Sequence, residues 1–291
     1  MEQTQEAERK QCDVLVIGGG PAGCTVAPML AEKGYKVVML EKAHHPRFHI
    51  GESLLPANLP LFERMGIAEE VKAIGMYKPG AEFVSPNHEE SSVFVFAEAW
   101  DKSMPHAYQV KRDQFDTILI RNAAKKGVEV HEGCKAKAVD FLPDNTATVR
   151  AMHDDGRETE WQARFVVDAS GRDTFLANRF QIKHRNPKHN SSAIYGHFTG
   201  AQRHEGQCEG NITIFWFEHG WFWFIPLKDG TTSVGAVCWP GYMKSRTTDP
   251  TTFFMQTIAM APEISARLVD AELTAPVTAT GNYSYQSERM T

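Results

Sequence analysis

The sequence has few cysteines and no obvious metal-binding pattern. Its five cysteines are an odd number, and no two of them are spaced as Cys-x-x-Cys. We therefore expect reduced, mostly structural thiols rather than disulfides or a zinc site. The 12 histidines include no His-Glu-x-x-His motif, and pairs such as His44 and His45 are typical of an exposed surface.

Long apolar runs and an excess of positive charge are also missing. No apolar segment approaches the roughly 20 residues that a membrane helix needs. The net charge is -5, which gives no sign of a nucleic-acid partner. Residues 1–11 are polar and mixed in charge rather than a secretory signal, so we expect a cytoplasmic protein without a membrane partner.

What is present is a chain of ordinary globular composition, with both helical and strand patterns. Its 291 residues, 42% apolar and 23% charged, suffice for one large domain or two interleaved ones. A strand at 14–17, a helix from Ala22 to Lys33 that Gly34 ends, and a strand at 36–40 predict a βαβ unit. Further helices are predicted at 58–75 (broken at Gly66), 114–126 and 253–269, and strands at 81–97, 128–168, 191–239 and 272–285.

These patterns predict a mixed fold, α/β with α+β character. We expect a Rossmann-type nucleotide-binding domain with an inserted, mostly antiparallel β-sheet that faces the substrate. The nucleotide-binding domain is predicted to be discontinuous, at 1–80 and 105–185, and the inserted sheet with its helices at 81–104 and 186–291.

The strongest motif is V-I-G-G-G-P-A-G at 16–23. Gly18, Gly20 and Gly23 form Gly-x-Gly-x-x-Gly between the first strand and the first helix. The first glycine permits a tight turn, the second lets the backbone approach a pyrophosphate, and the third lets the helix pack on the strand. Glu41 ends the second strand, where a carboxylate accepts hydrogen bonds from ribose hydroxyls and disfavours the phosphorylated ribose of NADP. The unit predicts a dinucleotide site.

These residues resemble the FAD-binding start of the para-hydroxybenzoate hydroxylase superfamily. V-K-R-D-Q-F-D at 110–116 is similar to that family's arginine motif, and V-D-A-S-G-R at 167–172 to its second short dinucleotide motif. A cation at a helix start suits a phosphate; the alternatives are an ordinary surface arginine and an ordinary strand-to-helix turn. The FAD-binding residues that the resemblance implies are Gly18, Gly20, Ala22, Gly23, Glu41, Arg47, Ser53, Arg112, Ala136 and Asp168.

Within this superfamily, three segments are similar to flavin-dependent halogenases of tryptophan, phenols and pyrroles. G-E-S-L-L-P at 51–56 is shared with geranylgeranyl reductases and lies near the flavin in relatives. W-F-W-F-I-P at 221–226 matches the halogenase signature WxWxIP through Trp221, Trp223 and the residues that follow. Lys78, in K-P-G-A-E-F, stands where phenol, pyrrole and tryptophan halogenases have a catalytic lysine.

The tryptophan strand is predicted to be apolar on both faces. A side-chain period of two places both tryptophans and Ile225 on one face, and Phe222 and Phe224 on the other. Such a strand separates two packed compartments, and we expect it to form a hairpin with 231–238 across the turn at 228–230. A well-filled core strand explains the pattern too; the resemblance implies that the tryptophans also line the wall between flavin and substrate.

The resemblance gives Lys78 a chemical role. Reduced FAD, dioxygen and a halide, chloride or bromide, yield hypohalous acid, which the lysine holds by a hydrogen bond or converts to a haloamine. Either role needs an amine in a dry pocket, where burial lowers its pKa and makes it more nucleophilic. An arginine stays protonated and would not serve. The alternative is a solvated surface lysine.

The leading hypothesis is an FADH2-dependent halogenase of an electron-rich, aromatic substrate, free or tethered to a carrier protein. Its expected partner is a separate flavin reductase, since the sequence has no second nucleotide fingerprint. Two alternatives stay open: a monooxygenase or reductase of the same fold, and a truncated FAD-binding remnant without activity. The family's Gly-Asp-Ala and Ser-x-Gly flavin and halide motifs have no counterpart before Thr291, so we expect a longer protein and weak FAD binding by these residues alone.

Overall fold

The computed structural model describes residues 8–281 and 283–288. The predictions for residues 1–7 and for Asn282 of the expected last strand lie outside the described residues. The helices are α1 (Pro21–Ala31), α2 (Leu59–Met65), α3 (Ala68–Ile74), α4 (Arg112–Lys125), α5 (Phe175–Arg179), α6 (Pro240–Lys244), α7 (Pro250–Ala259) and α8 (Pro262–Arg267). None of these described helices is long and apolar enough to cross a membrane.

The strands include ten from Glu8 to Asp168 and eight after it. The first ten are β1 (Glu8–Ile17), β2 (Val37–Leu40), β3 (Met76–Lys78), β4 (Gly80–Val84), β5 (Ser92–Val95), β6 (Ala107–Gln109), β7 (Glu129–His131), β8 (Cys134–Phe141), β9 (Ala147–His153) and β10 (Glu158–Asp168). The others are β11 (Lys183–Arg185), β12 (Ser192–Thr199), β13 (Ile212–Phe217), β14 (Gly220–Pro226), β15 (Thr232–Cys238), β16 (Glu272–Leu273), β17 (Thr278–Thr280) and β18 (Tyr285–Ser287).

The described chain falls into two compact units. The first unit contains the residues up to His49 together with 63–67 and 112–182. The second contains 50–62, 68–111 and the residues from Lys183 onward. The domain boundaries expected at 80, 105 and 185 remain predictions; by contacts alone, residues 68–80 group with the second unit.

The first unit is built on a six-stranded sheet in the order β7-β2-β1-β10-β9-β8. β7, β2, β1 and β10 run parallel, β9 pairs antiparallel with β10, and β8 pairs antiparallel with β9. This arrangement confirms the predicted βαβ unit. β1 begins earlier than the apolar run at Val14, because residues 8–12 continue the hydrogen-bonded ladder with β10. β10 lies between β1 and β9 in this sheet, and its Phe165 is exposed.

The second unit is built on an eight-stranded sheet in the order β16-β12-β15-β14-β13-β4-β5, with β17 also pairing with β12. Among its described pairs, β4 and β13 are parallel and the others antiparallel. The inserted sheet is therefore mostly antiparallel, as predicted. β14 and β15 form the expected hairpin, with Trp223 opposite Gly235.

The two faces of β14 pack into two different cores. Phe222 and Phe224 belong to a cluster with Phe254 of α7 and Ile264 of α8. Trp223 belongs to a second cluster, on the tryptophan face, that also contains Tyr195, Ile225 and Leu227. The indole nitrogen of Trp223 donates to Ser233 Oγ at 3.1 Å, so its polar atom is satisfied within this core. The prediction of a strand that is apolar on both faces is confirmed.

The single helix predicted at 253–269 is two helices. α7 ends at Ala259 and α8 begins at Pro262. Ala261 has extended dihedrals, φ -120° and ψ 95°. The proline ring disfavours helical dihedrals in the residue before it, and this effect outweighs the apolar periodicity that continues on both sides.

A buried carboxylate, Glu82 of β4, ties the sheet of the second unit to α8. It accepts hydrogen bonds from His204 Nε2 at 2.7 Å, Thr213 Oγ1 at 2.8 Å, Ser91 Oγ at 2.9 Å and Arg267 Nη2 at 3.1 Å. Burial alone would raise the pKa of Glu82, but these hydrogen bonds and the Arg267 charge hold it at about 2.

We expect Glu82 to make the protein sensitive to acid. Because the pKa of the folded state lies below 4.5, the stabilising contribution is full above that pH and is lost as the pH falls toward 2. The free energy of unfolding of wild type should drop by up to about 3 kcal/mol more than that of Glu82→Gln over this range. Denaturant titration at several pH values measures it, with Glu90→Gln at an exposed position as the control. Equal pH slopes for wild type and Glu82→Gln would contradict the assignment.

Candidate functional site

The glycine turn of the first unit is formed by close backbone approaches. Gly18 has φ +110°, and a Cβ there would lie 2.4 Å from the carbonyl oxygen of Ala169. A Cβ on Gly23 would lie 2.0 Å from the carbonyl oxygen of Gly18. Both positions therefore exclude any side chain, and the first turn of α1 lies directly on the end of β1. This geometry is the one that the Gly-x-Gly-x-x-Gly pattern predicts.

Gly20 is different, because it faces open space. Its dihedrals, φ -79° and ψ -175°, are ordinary extended values. A Cβ there would have Arg47 Nη2 as a neighbour at 3.9 Å, and exposed Ala22 lies two residues on. The N-terminus of α1 thus faces a space beside the guanidinium group of Arg47. A helix N-terminus next to a cation suits a pyrophosphate.

Two arginines of the first unit share one buried carboxylate. Asp116 of α4 is fully buried, and its carboxylate oxygens lie 2.8 Å from Arg112 Nε, 3.0 Å from Arg112 Nη2 and 3.2 Å from Arg47 Nη1. Arg47 Nη1 is buried and makes no well-aligned hydrogen bond with a described residue. The site therefore holds an anchored cation with hydrogen-bonding capacity left for an anion. We did not predict Asp116 as a site residue, although its spacing of four from Arg112 on one helix was a readable signal.

Loss of the Asp116 charge should destabilise the first unit and weaken FAD binding. Asp116→Asn would remove the buried negative charge that two partly buried guanidinium groups share, a change worth about 3–5 kcal/mol. Asp140→Asn is the matched control, because Asp140 is also held by two arginines, Arg150 and Arg179, but is 46% exposed. It should change the free energy of unfolding by less than about 1 kcal/mol. Similar effects of the two variants in urea titrations would show that Asp116 does not anchor the arginines.

Glu41 is buried beside the glycine turn. Its carboxylate accepts hydrogen bonds from the backbone N–H of Gly19 at 2.6 Å and of Ala43 at 2.9 Å, and Arg47 Nε lies 3.9 Å from it. Glu41 therefore braces the turn in the structure. Its predicted contact with the ribose remains a prediction.

Two other predicted residues, Asp168 and Ala136, have structural contacts within the first unit. Asp168 accepts hydrogen bonds from the N–H groups of Ser170 at 3.0 Å and Leu176 at 2.7 Å, so it holds the turn that follows β10. Ala136 is buried in the core of the first unit, at a β-bulge of β8. Contacts of these two residues with a cofactor remain predictions.

Lys78 of the second unit is buried, not a solvated surface lysine. Its side chain is 2% exposed at the end of β3. Nζ donates to Ser53 Oγ at 2.8 Å and to the carbonyl oxygen of Leu54 at 2.9 Å, and it lies 5.3 Å from the centre of the Phe96 ring. Burial lowers the pKa of Lys78 to about 8. The structure thus gives Lys78 the dry surroundings that nucleophilic chemistry requires.

The segment 50–54, which carries the G-E-S motif, joins Lys78 to the tryptophan face. Ile50 packs against the cluster that contains Trp223 and partly buried Trp221. Glu52 is 2% exposed, and its Oε1 pairs with Nε2 of His197 at 2.8 Å. Ser53 accepts a hydrogen bond from the lysine, and its contact with the flavin, expected from the family resemblance, remains a prediction. Sequence patterns did not reveal the pair of Glu52 with His197, because the two residues are 145 positions apart.

Comparison with known proteins identifies the family of this chain. A family profile described as FAD binding domain matches residues 11–284. A flavin-dependent halogenase of Armillaria mellea is 39% identical over 77% of this chain and 46% of its own length. A tryptophan 2-halogenase of Chondromyces crocatus is 37% identical over 77% of this chain and 42% of its own length. A 1H-pyrrole-2-carbonyl-[peptidyl-carrier protein] chlorinase of Pseudomonas fluorescens is 30% identical over 94% of this chain and 66% of its own length.

Solved structures give the same result for the fold. The myxobacterial chondrochloren halogenase, an FAD-dependent halogenase, has a TM-score of 0.90 at 34% identity. The match covers 96% of this chain and 65% of the halogenase. A flavoprotein/dehydrogenase from Cytophaga hutchinsonii has a TM-score of 0.88 at 30% identity. The match covers 95% of this chain and 68% of that protein. The chain spans about half the length of the first two curated relatives, 46% and 42%. Because the family profile covers nearly the whole chain, this protein belongs to the FAD-binding-domain family, and its relatives include flavin-dependent halogenases.

Proposed function

We propose that this chain carries the FAD-binding and lysine-bearing parts of a flavin-dependent halogenase. The observation that carries the proposal is Lys78, a buried amine at the position of the halogenase lysine. The proposed substrate is an electron-rich aromatic compound, free or tethered to a carrier protein, with chloride or bromide as co-substrate. A separate flavin reductase that supplies FADH2, and a cytoplasmic location, belong to the same proposal.

The residues of the first unit fit FAD. The open space at Gly20 and the N-terminus of α1 would receive the pyrophosphate, and Arg47 and Arg112 would balance its charge. Glu41, at the end of β2, would hold the adenosine ribose. Bound reduced FAD would supply two electrons to dioxygen, the oxidant, which would take two more from the halide, so that hypohalous acid and water would form.

Lys78 is arranged to act as a neutral amine. A neutral amine has two hydrogens and one lone pair, and the structure provides two acceptors, Ser53 Oγ and the carbonyl oxygen of Leu54. Both hydrogens are then satisfied while the lone pair stays available to attack a halogen. A protonated amine would have a third N–H, and among the described residues no carboxylate contributes to the pKa of this group. The geometry supports a haloamine in preference to a simple hydrogen-bonded acid.

The pH dependence of halogenation tests this role. With a pKa of about 8, the neutral fraction of Lys78 rises from about a tenth at pH 7 to about nine tenths at pH 9. We expect the share of hypohalous acid that reaches the substrate, rather than a soluble trap, to rise across this range in the full-length protein. A share that falls with pH would instead favour an ammonium that only donates a hydrogen bond.

A further inference from the structure

We propose that Gln109 is the hydrogen-bond acceptor that orients hypohalous acid at Lys78. This inference rests on the proposed function and adds to it a positioning residue on β6. Three observations support it: the place of Gln109 in the strand register, the fixed direction of its amide, and its buried, unpartnered oxygen.

The strand register places Gln109 beside the lysine amine. β6 pairs antiparallel with β3, with Gln109 opposite Met76 and Ala107 opposite Lys78. On its other edge Gln109 pairs with Ser53. Directly paired residues share a face of the sheet, so Lys78, Gln109 and Ser53 all project from one face. Lys78 Nζ donates to Ser53, the residue paired with Gln109 on the far edge of β6, so the lysine side chain crosses β6 on the face from which Gln109 projects.

The direction of the Gln109 amide is fixed by a hydrogen bond. Its Nε2 donates to the carbonyl oxygen of Gly210 at 3.1 Å. If the amide were flipped, Gln109 Oε1 would face the carbonyl oxygen of Gly210, and two acceptors would meet. Oε1 therefore points away from Gly210. This oxygen is buried, and it has no hydrogen-bond partner among the residues that the structure describes. The side chain as a whole is 0% exposed, and a buried acceptor without a donor is unfavourable.

A ligand that donates a hydrogen bond to Gln109 Oε1 must be small, and it must also be able to react with the amine of Lys78. Lys78 and Gln109 are 2% and 0% exposed, which leaves no route for a bulky ligand in this conformation. The amine has already committed its two hydrogens to Ser53 and Leu54. A ligand that completes the group carries an O–H for Gln109 and an electrophilic atom for the lone pair. Hypohalous acid has both, whereas water has only the first.

Gln109 would then position the hypohalous acid both for attack by the lysine nitrogen on the halogen and for departure of the hydroxide. The amine nitrogen forms a bond to the halogen as the oxygen–halogen bond breaks, and the electrons of that bond leave with the hydroxide. One N–H proton of the lysine passes to the hydroxide, which leaves as water. Gln109 accepts the O–H hydrogen throughout, so that the halogen points toward the lone pair.

The distribution of the halogen between substrate and trap tests the proposal. The full-length protein is supplied with FADH2, dioxygen, bromide, an aromatic substrate and an excess of a soluble β-diketone that traps free hypobromous acid. Gln109→Leu should lower the substrate's share of the bromine about tenfold, the effect of one lost hydrogen bond, while the sum of both products stays at the wild-type value. Gln162→Leu makes the same change at an exposed position of the first unit and should leave the share unchanged.

If the substrate's share of the bromine is unchanged in Gln109→Leu, the proposal is overturned. This holds whether or not the total of both products falls. A wild-type protein that brominates neither substrate nor trap would refute the proposed function itself, which is a different result. A second measurement avoids turnover altogether. Gln109→Glu places a carboxylate beside the amine, so the midpoint pH of the Lys78 titration, followed by NMR of isotope-labelled lysine side chains in the flavin-free protein, should rise by about 1 or more. No rise would show that Gln109 does not face Lys78.

Discussion

Replacement of Lys78 by alanine should abolish halogenated product in the full-length protein while FADH2 oxidation by dioxygen continues. In the proposed mechanism the amine acts after the halide has been oxidised, and Lys78 lies in a unit of the chain other than the one that holds the glycine turn. We expect a loss of product of at least about 100-fold, because neither the nucleophile nor its hydrogen bonds remain. Free hypohalous acid should appear in a soluble trap in place of the product.

Two controls make the Lys78 result specific. Lys72→Ala removes an exposed lysine of α3 and should leave the product yield unchanged. Lys78→Arg keeps a positive charge but cannot supply a neutral nitrogen, so it should fail as alanine does. Continued halogenation by Lys78→Ala would refute the role of the lysine. Loss of flavin binding together with product would instead make Lys78 a structural residue.

Substitution of Gly20 by valine should abolish FAD binding and leave the fold intact. The dihedrals of Gly20 are open to any residue, and a Cβ meets no atom closer than 3.9 Å. The valine methyl groups would occupy the space through which the backbone approaches a pyrophosphate. We expect the dissociation constant for FAD to rise at least about 100-fold in a fluorescence titration.

Two other glycines are the controls for this experiment. Gly241→Val introduces the same side chain into open space in the second unit and should leave FAD affinity unchanged. Gly23→Val should unfold the glycine turn, since its Cβ would lie 2.0 Å from a carbonyl oxygen. Wild-type affinity in Gly20→Val would move the cofactor away from this turn.

The sequence predicted the parts of the fold that depend on short-range pattern. The βαβ unit follows from two apolar runs and a glycine turn, and the structure confirms it. The two faces of β14 follow from an alternation of large aromatic residues. Pro262 was visible in the sequence as well, and the break between α7 and α8 was missed because the apolar period was weighted above the proline.

Contacts in the candidate site that depend on long-range pairing were not predicted. Gln109 and Ser53 become neighbours only through a bridge between separate segments. The pair of Glu52 with His197 also joins distant segments of the chain, and a single sequence has no signal that links them. Lys78 was identified through a family motif, but its burial and its two acceptors required the structure.

The most direct test of the proposed function is the halide dependence of the product. The full-length protein is incubated with reductase-generated FADH2, dioxygen and an electron-rich aromatic substrate, with bromide, with chloride or without halide, and the products are identified by mass spectrometry. We expect a halogenated product only when halide is present, and unmodified substrate when it is absent. A hydroxylated or reduced product that forms equally well without halide would contradict the proposal and identify the protein as a monooxygenase or reductase of the same fold.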